Sequence, residues 1–74
     1  MYEVDTIELR KCMLDKGFHT ITEMATACGL SRDTMSDILS NKVKPGATAM
    51  YAIAAVLGLD PEALGRIFFK RVVA

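Results

Sequence analysis

Apolar residues recur along this chain at helical spacing, in short runs that glycine or proline interrupts, and the interruptions divide it into five helices. The first run is Ile7, Leu9, Met13 and Leu14, with Cys12 beside them, and predicts a helix from about Thr6 to Lys16 that turns these residues inward. Arg10, Lys11 and Lys16 stay in water. Asp5 with Glu8 three residues on reads as a capping box, and Gly17 closes the helix with Lys16 in its last turn, where a positive charge suits the helix dipole. Phe18 is expected to plug the core from the loop.

The second and third runs lie in TITEMATACGLSRDTMSDIL, from Thr20 to Leu39. Thr20 and Glu23 make another capping box, Met24, Ala25 and Cys28 share a face, and Gly29 supplies the positive φ at which the helix stops. Ser31 can cap the next helix by accepting from the amide of Asp33 or Thr34, and Leu30, Met35, Ile38 and Leu39 form its buried stripe. The turn between the two helices is about three residues long.

Ser40 to Gly46 carries basic residues and no acidic ones, and Pro45-Gly46 blocks further helix. The next helix, about Thr48 to Leu57, is apolar nearly all round through Met50, Tyr51, Ile53, Ala54, Val56 and Leu57, so it is central or meets a partner. Gly58 ends it. Asp60 caps a fifth helix, with Pro61 at its first position and Leu64 and Ile67 or Phe68 on the core side. That helix is expected to stop at about Phe68. Phe69, Val72 and Val73 are then surplus, in an extended tail that pairs with Tyr2 to Val4 or with the same tail of another subunit.

Composition narrows the function. Seventy-four residues suffice for one domain, near the lower limit at which a core holds without disulfides or metal. The apolar fraction is 51% and the formal net charge is zero, so apolar surface is left over once the core is filled. Cys12 and Cys28 fall at expected core positions and read as buried free thiols; one histidine completes no zinc set at these spacings. No signal peptide precedes the first helix and no run is long enough to cross a bilayer, so a cytoplasmic location, away from membranes, is expected.

The order of residues in the second and third runs resembles the Cro and lambda-repressor type of helix-turn-helix found in phage and bacterial regulators. That family places a small residue where the two motif helices nearly touch, here Ala25, and glycine four residues later, here Gly29. Its apolar positions are met by Met24, Cys28, Leu30, Met35 and Ile38. The likeness continues through NKVKPG, AMYAIAAVLGL and LDPEAL, and covers roughly Ile7 to Phe68. It implies an all-α, compact five-helix lambda-repressor-like domain with the motif at about 20–39 and short extended segments at either end. It also implies a repressor-like transcription regulator that binds double-stranded DNA at an operator-like site, without a cofactor or a small-molecule substrate.

The resemblance assigns base contacts to Arg32, Asp33, Ser36 and Asp37 on the second motif helix. Arg32 is the strongest of these, because a guanidinium pairs bidentately with guanine. Asp33 and Asp37 depart from the pattern: Asp33 suits the helix dipole and Asp37 a solvated face. Backbone contacts fall to Thr20, Thr22, Thr34, Asn41, Lys42 and Lys44, while Ile21 stands where the family usually has a polar residue. Between Gly29 and Thr48 three cations face two carboxylates, a weak footprint for a DNA binder. A homodimer joined through Phe69, Val72 and Val73, in a tail of about residues 69–74, would double it. An enzyme is not expected, since Asp15, His19 and the cysteines lack a pocket to work in. The rival is an interaction module of the same fold, an antirepressor or co-regulator that does not read DNA.

Overall fold

Five helices form because four of their starts have a side-chain cap and each turn between them has a residue willing to leave the helix. A computed structural model describes residues 1–73 and orders them as β1 (Tyr2–Glu3), α1 (Thr6–Asp15), α2 (Ile21–Cys28), α3 (Arg32–Leu39), α4 (Ala47–Leu57), α5 (Pro61–Phe68) and β2 (Lys70–Arg71). Asp5, Thr20, Ser31 and Asp60 each accept the amide three residues on, from Glu8, Glu23, Thr34 and Ala63. The chain is thus essentially all-α, with one two-stranded ribbon. Helix α4 begins one residue earlier than expected, from Gly46, which has no side chain to cap it.

Three helices end alike. After α1, α2 and α4 a glycine in the left-handed region is followed by Phe18, Leu30 or Leu59, whose amide bonds back five residues to the carbonyl of Met13, Ala25 or Ala54. Each of those apolar residues lies half-buried against the core. Phe18 therefore fills the place expected of it.

The core is one cluster in which Leu9, Met24, Met35, Ile38, Leu39, Ile53 and Ile67 are fully enclosed. Helix α2 packs on α3 and α4, and α1 packs on α3 and α5. No polar side chain is buried among the described residues. Two expectations fail on α1: Ile7 is 73% exposed and Leu14 is 53% exposed. At about 100° per residue they share a stripe roughly opposite the one formed by Leu9, Cys12 and Met13, and α3 and α5 cover only the latter. Cys12 is half-buried and Cys28 buried, both as free thiols. Tyr51 also points outward from α4.

The tail folds back on its own chain. β2 pairs antiparallel with β1, Tyr2 opposite Arg71 and Glu3 opposite Lys70, and the Val72 amide extends the ladder to the Met1 carbonyl at 3.0 Å. Of the two pairings open to the tail, the one with Tyr2 to Val4 forms here. The expected dimer segment reaches Ala74, which lies outside the described residues. A radius of gyration of 11.3 Å matches a compact chain of this length, about 11 Å.

Gly29 adopts φ 70° and ψ 27°, and a Cβ placed there would meet nothing within 4 Å. A side chain at this site is therefore opposed by backbone conformation alone, roughly 1–2 kcal/mol for an L-residue and more for a β-branched one. Gly29→Val is expected to lower unfolding free energy in urea by more than about 1 kcal/mol. A loss below about 0.5 kcal/mol would contradict the left-handed turn.

Candidate nucleic-acid interface

The motif is assembled from its two N-termini. At α2, the Glu23 amide donates to Thr20 Oγ1 at 3.1 Å, and Glu23 Oε1 accepts from the Thr20 amide at 3.0 Å and the His19 amide at 3.2 Å. The carboxylate thus occupies part of the helix start that would otherwise face an anion. What remains for a phosphate is the Thr20 hydroxyl hydrogen, the Ile21 and Thr22 amides, which have no partner within the helix, and the exposed Thr22 hydroxyl. Ile21 is half-buried against the core, which accounts for an apolar residue in that place.

At α3, Ser31 Oγ accepts from the Thr34 amide at 3.1 Å and donates to Thr34 Oγ1 at 2.8 Å. Ser31 has spent its proton, so the Thr34 hydroxyl is left as the outward donor. Arg32 and Asp33 are exposed in the first turn, whereas Ser36 and Asp37 are half-buried further along. Among the described residues neither Arg32 nor Asp33 nor Asp37 makes an ion pair. Met35, Ile38 and Leu39 hold the opposite side of the helix in the core.

The far end of α3 is anchored by groups that sequence reasoning left in solvent or assigned elsewhere. Arg10 Nη2 donates to the Leu39 carbonyl at 3.2 Å, a positive charge at the negative end of the helix dipole. Asn41, at φ 59°, takes the left-handed position that glycine holds in other turns and donates from Nδ2 to the Val4 carbonyl at 3.2 Å. Its amide is therefore partly committed to the fold, although it was expected only at a phosphate. An asparagine directly after the last helical turn was the signal for this role. Lys42 and Lys44 follow on the loop, exposed and without an ion pair among the described residues.

With the Gly29 turn, the capped start of α3 and the exposed Arg32 in place, comparison with known families is decisive. The Cro/C1-type HTH DNA-binding domain matches residues 8–66. The chain belongs to that family. No curated protein matches it. The family supports DNA binding and a regulator-like role, and it matches the resemblance read from Ala25, Gly29 and the apolar positions around them. Among the described residues no helix is long and apolar enough to cross a membrane.

The Cro/C1-type domain also holds two free thiols, Cys12 on α1 and Cys28 on α2. Burial pushes the Cys28 thiol above its ordinary value of 9.0. Burial chiefly, then the Glu8 and Asp15 charges, raises Cys12, against Arg66 and Lys11. The folded chain therefore holds these protons after the unfolded chain has released them. Stability from Cys28 is complete below about pH 9 and is lost as pH rises through the folded value. Wild type is expected to lose more unfolding free energy than Cys28→Ala between about pH 7 and about pH 10. Equal losses in urea titrations would show that Cys28 stays accessible.

Proposed function

We propose that the chain is a sequence-specific, repressor-like transcription regulator of phage or bacterial type, acting in the cytoplasm as a non-enzymatic homodimer on an operator-like site. The observation that carries this reading is the presentation of α3: one side is sealed in the core, both ends are fixed, and Arg32 stands at the exposed N-terminal turn with no ion pair among the described residues. In such motifs the N-terminal residues of the second helix meet base edges. Arg32 is assigned a guanine, and Asp33, Ser36 and Asp37 the neighbouring base edges. Thr20, Thr22, Thr34, Asn41, Lys42 and Lys44 are assigned the phosphates, Asn41 through the one Nδ2 hydrogen not donated to Val4. The whole chain is read as one such domain.

Dimerisation is supported by the ribbon. Because Met1 and Val72 form a hydrogen-bonded pair, the next pair, Tyr2 and Arg71, does not, so the Arg71 amide and carbonyl point to the outer edge of β2. Tyr2, Phe69 and Val73 share one face of the ribbon by alternation, and all three are exposed, Val73 to 85%. An open edge beside apolar side chains is a template for the same edge of a second copy. Dimers of such motifs read two half-sites about 34–36 Å apart, one turn of DNA, and a second copy would double a small set of phosphate contacts.

The rival, an interaction module that does not read DNA, is favoured by Asp33 and Asp37, which have no ion pair among the described residues on the helix that would enter the groove. Two sets of variants decide between them, and a third tests the dimer. On a duplex selected from a random pool, Arg32→Ala is expected to lose about 1–3 kcal/mol and to relax one base pair, whereas Lys42→Ala weakens all sequences and lowers the salt slope by about one per subunit. Asp37→Asn is expected to raise general DNA affinity; unchanged DNA binding with lost capture of a protein partner selects the rival. Arg71→Pro keeps the ribbon's internal bonds but removes the outward N–H, so sedimentation is expected to find a monomer. A monomeric wild type would rule out the edge-paired dimer.

A further inference from the structure

A cavity of about 440 Å³ lies between the terminal ribbon and the start of α4, within the range of small-molecule sites, about 300–1,000 Å³. Buried Val4 and Phe68 and half-buried Met50 line it. Tyr2 and Phe69, packed edge to face with centroids 6.4 Å apart, border one side, and the loop carrying Lys44 and the first residue of α4, Ala47, border the other. The charge around this apolar space is uneven. Lys44 has no ion pair among the described residues, and α4 is the one helix with neither a side-chain cap nor an acidic residue in its first turn. Glu3 is the other charged lining residue, but it alternates with Tyr2 onto the other face of the ribbon, opposite Lys70.

An apolar space with an unpaired cation at its border fits a molecule that is apolar along its body and anionic at one end. We propose that this groove is a regulatory site for a small amphipathic carboxylate, whose chain lies over Val4, Met50 and Phe68 and whose head meets Lys44. The regulatory consequence rests on the DNA-binding reading: the same ammonium is assigned a phosphate, so bound carboxylate and DNA compete for it. The molecule is an effector and is not transformed.

Decanoate below its micelle concentration is the probe, with decanol as the uncharged control, titrated into the full chain without DNA and followed by NMR. Saturable one-to-one binding is expected, with shifts at Val4, Met50 and Phe68. Lys44→Met should weaken decanoate about tenfold without changing decanol. Ala47→Trp, at an exposed position bordering the cavity, should fill the groove and abolish both. Decanol binding as tightly as decanoate, full binding by Ala47→Trp, or no saturable binding overturns the site. So does a groove whose signals shift on dilution and not with decanoate, since a second copy then covers it. In a separate titration, decanoate should weaken random-sequence duplex binding and reduce its salt slope by about one per subunit. DNA binding that ignores bound decanoate overturns the regulation. A chain that binds decanoate as described but no DNA supports the site and refutes the DNA reading instead.

Discussion

The contact of α2 with α3 is the constraint on which the rest depends. Each helix has eight residues, well short of the roughly 12–15 at which an isolated helix is even marginal in water. Neither persists unless the other covers its apolar side. Ala25, 2% exposed, keeps that contact narrow, and its carbonyl accepts from the Leu30 amide at 2.9 Å across the Gly29 turn. One residue thus serves both the packing of the pair and the geometry of the turn. The outward face of α3 follows from this, because the residues that pack it fix which residues face away.

The neutral charge of the chain looks unfavourable for a partner of nucleic acid until the acids are located. Of nine acidic residues, Asp5 and Asp60 are caps and Glu8, Glu23, Asp33 and Glu62 sit in first turns. A carboxylate there stabilises a short helix by about 0.3–1 kcal/mol. Most of the negative charge therefore serves helices too short to hold themselves, and only Glu23 and Asp33 do so on the motif itself. The cost falls on phosphate affinity, since each such carboxylate offsets a cation that could meet the DNA backbone.

Much of this was legible because it is local. Capping pairs act over three residues, and the glycine followed by Phe18, Leu30 or Leu59 ends a helix with bonds confined to one turn. The likeness to the Cro/C1 family rested on such spacings too. Legibility failed where a choice between surfaces was made by distant chain. Helix α1 carries two apolar stripes, and nothing within it says that α3 and α5 take Leu9 and Met13 and leave Ile7 and Leu14 in water. Arg10 read as solvated for the same reason: its acceptor, the Leu39 carbonyl, is 29 residues away. The tail's pairing with Tyr2 and Glu3 was one of two alternatives that alternation alone does not separate.

Those distant contacts converge on the N-terminal segment. Val4 is buried, its carbonyl accepts from Asn41, and the Asp5 amide donates to the Ile67 carbonyl at 2.7 Å, while Asp5 also caps α1 and pairs with Lys70 at 3.9 Å. The end of α3, the end of α5 and the ribbon are thereby tied to two adjacent residues. Displacing the ribbon strains the loop that carries Lys42 and Lys44, and Arg10 on the next helix transmits the same displacement to the last turn of α3. The segment beside the ribbon and the end of α3 are joined through the Asn41 and Arg10 side chains, with no long path between them. The ribbon's flank and the start of the Lys42–Lys44 loop are thus one hydrogen bond apart, at Val4 and Asn41.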